Sequence, residues 1–262
     1  MDFIRIVKTE LYKNFHRKSS LMLFIPILLT IIIAFGFSKG AIKLNLTTGD
    51  VEAYSCMDFV FIIWNVLSGL GIIGLLFVLF AAFQFSGEIE HGQIKLMLLR
   101  ISKRKDVVIG KYVSSAIVCV ISIIGTLAAS VLSYYIFVAR SEFGTGSFHA
   151  SIAGLSTLEI VGTVGLQLLI YLILIGITFL IGIYAGTFIT FIMTIVAMYM
   201  INYLAGTETF AAKLLPNYWS NHLALNETIP ATGIIGTLGF TGLLLTGILT
   251  VIVMGFNKRD IR

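Results

Sequence analysis

Long apolar runs alternate with short charged stretches along this chain, and the runs have the lengths a bilayer asks for. A helix needs about 20 apolar residues to cross the hydrocarbon core. Residues 20–37, 59–83 and 112–138 each predict one crossing. Residues 160–204 are too long for one helix and predict two, 160–181 and 184–204. The break is expected within Gly182–Thr187, where two glycines suit a tight turn. Residues 232–256 predict the sixth crossing. The fold class read from this pattern is an all-α polytopic membrane protein of six transmembrane helices, forming one domain over 1–262.

The leader, residues 1–18, has a pattern of its own. Phe3, Val7, Leu11 and Phe15 step by four with Ile4 beside them, while Arg5, Lys8, Thr9 and Lys13 lie largely opposite and Asn14 intrudes on the apolar face. This predicts an amphipathic helix lying in the membrane interface. No A-x-A cleavage site follows Phe37, so the first run is expected to stay as a helix.

Composition sharpens the picture. The chain is 58% hydrophobic and 12% charged, with a mean hydropathy of +0.99. Soluble domains carry about a quarter charged residues, so water is the wrong solvent for this one. Of the 18 Lys and Arg residues, 14 fall in the leader, in Glu88–Lys111 and in the last five residues. Only Lys39, Lys43, Arg140 and Lys213 lie on the other side, while the acidic residues divide almost evenly. The basic bias predicts both termini in the cytoplasm and a multi-pass protein of the plasma membrane. Because the bases flank apolar runs, they point to orientation and anionic lipid rather than to nucleic acid. Cys56 and Cys119 show neither metal spacing nor a disulfide framework.

Two motifs mislead. Gly69-Leu-Gly71-Ile-Ile-Gly74 matches a dinucleotide fingerprint, with Glu88 and Glu90 further on. It lies inside an apolar run with no βαβ unit around it, so these glycines are expected to serve close helix packing. Gly110-Lys111 lacks the rest of a phosphate loop. No hydrolase or metalloprotease motif occurs, so no enzymatic activity and no cofactor is expected.

Polar positions within the runs are candidates for a translocation path: Asn65, Ser122, Thr126, Gln167 and Asn202. Each can equally be satisfied by a neighbouring helix. Gly233, Gly236, Gly239 and Gly242 recur every three residues and suit helix contacts. The scarcity of charge within the runs argues against a hydrophilic ion route. A gradient-driven carrier would need midplane ionisable groups or paired broken helices, and neither is legible.

One internal segment on the basic side is large enough to bind a partner, residues 86–104. The second helix should continue to His91, and Gly92 suits a helix stop. Gln93–Arg100 can form a short helix with Ile94, Met97 and Leu98 on one side, followed by the basic Lys103–Lys105. On the residues alone this fits a knob for a groove in another protein, or a helix resting on lipid.

This segment resembles the loop between spans two and three of the ABC type-2 permeases, the membrane subunits of ATP-binding-cassette exporters. Their pattern is Glu-x3-Gly-Thr, a Leu-rich turn, Pro-x-x-Arg, then Gly-Lys. Glu88, Gly92, Leu98, Leu99, Arg104, Gly110 and Lys111 follow it in order, with Gln93 in place of Thr and Ile101 in place of Pro. The six-span layout, the leader and the long segment 206–231 before span six agree as well. The resemblance implies that 86–104 is a coupling segment seated in an ATPase subunit, with Glu88, Gly92, Gln93, Ile94, Met97, Leu98 and Arg104 as its residues. It also implies a second permease subunit, identical or paralogous, and short re-entrant helices within 206–231. The implied function is export of an amphipathic or hydrophobic substrate (peptide, lipid or drug), with antimicrobial-peptide resistance as the favoured setting.

Overall fold

The computed structural model describes residues 3–42, 54–69, 71–98, 103–149, 156–225 and 230–258. Lys43, Leu99, Arg100, Ile101, Arg259 and Arg262, which entered the charge and motif patterns, lie outside the described residues.

The helices, in chain order, are α1 (Phe3–His16), a 3-10 run (Lys18–Phe24) leading into α2 (Ile25–Ser38), α3 (Cys56–Gly69), α4 (Ile72–Gln84), α5 (Ser86–Glu90), α6 (Gln93–Leu98), α7 (Arg104–Ser133) with a closing π turn (Tyr134–Val138), α8 (Thr157–Tyr184), α9 (Thr187–Ala205), α10 (Phe210–Lys213), α11 (Pro216–Ala224) and α12 (Ala231–Lys258). Six stretches are long and apolar enough to cross a membrane: Lys18–Ser38, Ile72–Glu90, Arg104–Val138, Thr157–Tyr184, Thr187–Ala205 and Thr232–Lys258. The chain is an all-helical, multi-pass membrane protein. Among the described residues the only sheet-like contact is a bridge between Tyr54 and Gly144.

Local chemistry sets the helix ends. Ser55 and Asp58 exchange capping bonds at the start of α3, and Ser156 with Glu159 forms a full capping box for α8. Thr209 caps α10, and Pro216 opens α11 at a position where its missing N–H costs nothing.

The second crossing departs from the single helix expected over 59–83. Gly71 adopts φ +71°, a left-handed conformation that stops the helix, and separates α3 from α4. A broken helix was not legible in the apolar pattern, yet one is present. Gly74 does serve close packing: a Cβ there would lie 2.7 Å from Met198 Sδ. The turn between α8 and α9 falls at Ala185–Gly186, and neither residue takes a positive φ. Tight-turn glycine is therefore not what makes that turn. Gly182 lies inside α8, packed against Ser86 and Phe85.

α1 buries a stripe that the leader pattern did not anticipate. Its buried stripe is Ile6, Glu10 and Asn14. Phe3, Ile4, Tyr12 and Phe15 face outward at 40 to 67% exposure. The polar residues point inward because they have partners on α7: Asn14 reaches Ser114 Oγ at 3.4 Å, and Glu10 meets Lys111.

Aromatic side chains fill both ends of the interior. Phe85 stacks on Phe179 at 4.4 Å, with Phe256 and Tyr112 around them. At the other end Phe37, Tyr54, Phe59 and Tyr134 pack together, and the Tyr134 hydroxyl donates to the Tyr54 carbonyl at 2.8 Å. The flanks of α9 and α12 stay apolar and exposed, including Phe188, Met193, Tyr199, Leu243 and Met254. A water-soluble fold would not leave such faces uncovered.

Candidate functional site

α1, the foot of α7, α5, α6 and the end of α12 gather at one end of the bundle: Ile6 packs on Val107 and on Gly110, and Arg104 reaches the Asn257 carbonyl at 3.4 Å. Here the single turn of α5 is fastened on two sides.

One fastening is an ionic cluster. Glu88, buried to 2% exposure, receives Lys111 Nζ at 2.5 Å, Arg17 Nη1 at 2.6 Å and Lys13. Lys111, itself 1% exposed, also binds Glu10 at 2.8 Å. Three bases thus meet two acids where α1, α5 and α7 come together, and removing Lys111 would leave Glu10 and Glu88 without the buried cation they share. Burial and the Lys111 charge pull the Lys13 ammonium below its ordinary range, against the opposing pull of Glu88 and Glu10. Arg17 extends the cluster by donating to Gln84 at 3.1 Å and to Gln93 at 2.6 Å.

The other fastening is Glu90. Its carboxylate accepts the Thr187 backbone N–H at 2.9 Å and the Thr187 hydroxyl at 2.6 Å, capping α9 across 97 residues of chain. Ser86 donates to the Ala185 carbonyl at 2.8 Å, holding the last turn of α8. α5 is therefore tied at once to α1 and α7 and to the α8–α9 turn.

Beyond α5, Gly92 takes φ +70° with open space around it and turns the chain into α6. Ile94 is fully buried, and Met97 and Leu98 pack on Ile6 and Val107. The apolar side of α6 thus faces the protein. The projecting apolar residue is Leu96, 67% exposed, which the sequence pattern did not single out. Arg104 opens α7 beside this group, exposed.

The five candidate path residues separate into two groups. Asn65, Gln167 and Asn202 line one cavity of about 260 Å3, together with Ser68, Gly69 and Gly71 of the broken helix, Tyr171, Met198, and Asn217 and Asn221 of α11. Asn217 donates to the Asn202 side chain at 2.6 Å, and so closes α11 over α9. Ser122 and Thr126 lie elsewhere, buried at the seam of α7 with the first crossing. Ser122 donates to the Leu23 carbonyl and Thr126 to the Ser122 carbonyl, both at 2.9 Å.

Comparison with known protein families matches residues 27–262 to a single family profile. The chain belongs to DUF2705. That family is described as a protein of unknown function, and its match begins within the first crossing and covers the other five together with the α5–α6 stub. No curated protein matches the chain.

Proposed function

We propose that this DUF2705 chain is the permease subunit of an ATP-driven exporter in the plasma membrane, with ATP hydrolysis on a separate ATP-binding-cassette subunit. The α1 end, where Arg17, Lys103–Lys105 and Lys258 gather, is the cytoplasmic face under the positive-inside rule. Both termini lie on that side. α1 rests in the interface, its outward Phe3, Ile4, Tyr12 and Phe15 against lipid. A second permease subunit completes the complex, and the cargo is amphipathic or hydrophobic.

One observation carries this reading. The α5–α6 stub projects Leu96 while its base is bonded to four other elements through Glu88, Glu90 and Ser86. A push on α6 would be delivered to α1, α7 and the α8–α9 turn together. A helix merely lying on lipid needs no such wiring. Glu88, Gln93, Ile94, Met97 and Leu98 serve by fixing the stub, Gly92 by turning it, and Leu96 by meeting the ATPase.

The test is copurification of the native complex. Leu96→Asp should abolish recovery of the ATPase subunit while the permease still expresses and inserts. Absence of any nucleotide-binding subunit from the wild-type complex would end the proposal. The broken α3–α4 helix favours a second reading, a gradient-driven carrier with its site at the break. Transport that persists after ATP depletion would select that reading.

A further inference from the structure

The cavity at the helix break is lined with side-chain amides, and Asn202 and Asn221 stand exposed at its mouth. Four of the chain's eight asparagines and one of its three glutamines converge on it, and among the described residues no Asp, Glu, Lys, Arg or His lines it. Random placement of packing residues would not gather amides in this way. Each side-chain amide offers two donors and an acceptor with two lone pairs. Within the fold Asn65 donates one N–H to the Phe61 carbonyl, and Asn217 donates one to Asn202. The buried Oε1 of Gln167 has no hydrogen-bond partner. A buried, unpaired acceptor of this kind is costly, and a ligand donor would relieve it.

The break supplies further groups. α4 follows Gly71 as its N-cap with no side chain capping its first N–H groups, and it is long enough to present them as a helix start. Ile170, Leu174 and Met198 provide an apolar wall beside the amides. The volume is small for a drug-sized molecule, whose pockets run from about 300 Å3 upward, and suits one short stretch of a longer ligand.

We infer that this cavity binds the backbone of an uncharged peptide segment carrying an apolar side chain: amide against amide at Asn65, Gln167 and Asn202, and the side chain against Leu174 and Met198. A charged group would find no counter-ion here and would be excluded by its desolvation cost. This rests on the export reading and specifies its cargo as peptide.

Binding can be read without any ATPase, so its outcome is separate from that of the copurification test. The full chain in nanodiscs is titrated with N-acetyl-leucyl-leucinamide, and thermal unfolding is followed. The capped dipeptide should raise the melting temperature in a saturable way, and zwitterionic leucyl-leucine should bind about tenfold more weakly or worse. Gln167→Leu and Asn202→Leu should each weaken the capped dipeptide by about tenfold. Should either variant fail to fold, the comparison of the two dipeptides on the unaltered chain decides the matter. The inference is overturned by no response to the capped dipeptide, by equal affinity for the zwitterion, by unchanged affinity in folded variants, or by an equal response to glucose.

Discussion

Glu90 caps Thr187 from another helix, two residues after Glu88 grips Lys111. Positions two apart on a helix point about 200° away from each other. The spacing therefore lets one turn, Ser86–Glu90, hold α7 with one carboxylate and the α8–α9 turn with the other.

Glu90 is exposed, so its loss should leave the fold standing. Glu90→Ala frees the start of α9 from the stub without disturbing the ionic cluster. ATPase recovery should be unchanged while transport per ATP hydrolysed falls. Thr187→Val should give the same defect, and combining the two should add nothing, because both remove one contact. Additive losses would show that Glu90 acts elsewhere.

The ionic cluster behaves in the opposite way. Lys111→Met leaves Glu10 and Glu88 facing one another across a buried gap with only Lys13 and Arg17 to answer them. Stability should fall by about 3 kcal/mol, as for other buried ion pairs that lose one partner. Unfolding of the purified protein in graded denaturing detergent would measure it. An unchanged midpoint would mean that water reaches the cluster.

Parts of this architecture were legible in the sequence, and the missing parts share a cause. Six apolar runs and the stop at Gly92 follow from hydropathy and from one glycine between amphipathic pieces. The break at Gly71 does not, because Gly69-Leu-Gly71 sits in an unbroken apolar run and hydropathy says nothing about φ. Asn65, Gln167 and Asn202 stood out as polar residues within apolar runs. Asn217 and Asn221 did not, since they sit in a polar segment and join the cavity only because α11 folds back on α8 and α9. The inward stripe of α1 was hidden for a similar reason. Glu10 is buried only because Lys111, 101 residues away, comes to meet it. The apolar side Ile94, Met97 and Leu98 was visible, but the direction it faces depends on Ile6 and Val107.

Gly92 separates conformational strain from crowding. A Cβ at this position meets nothing, so any loss on substitution comes from the left-handed backbone alone. Gly92→Val should cost about 1–2 kcal/mol locally and detach or misdirect α6, while Gly92→Asn, which tolerates this region better, should cost less. The order to look for in ATPase recovery is glycine, then asparagine, then valine. Equal recovery for all three would show that the turn at 92 does not set the aim of α6.

The glycines of α12 bear on the proposed second permease subunit. Of the four that repeat every three residues, only Gly233 has a neighbour among the described residues: a Cβ there would meet the Trp219 ring at 2.7 Å. Gly236, Gly239 and Gly242 face open space along a helix whose apolar window is only 11% buried. Small residues let membrane helices approach closely, and where they face no partner within the chain the approach must be to lipid or to another subunit. If α12 pairs with a second permease, a cysteine placed at 239 or 242 should crosslink between subunits in native membranes. Gly239→Leu and Gly242→Leu should then abolish crosslinking at a neighbouring position while thermal stability of the separate chain stays within about 0.5 kcal/mol of the unaltered protein. A face that meets only lipid would give no crosslink at either position, and the leucine variants would transport normally. The subunit contact would then have to be sought on α9, where Ile189, Met193 and Met200 remain uncovered.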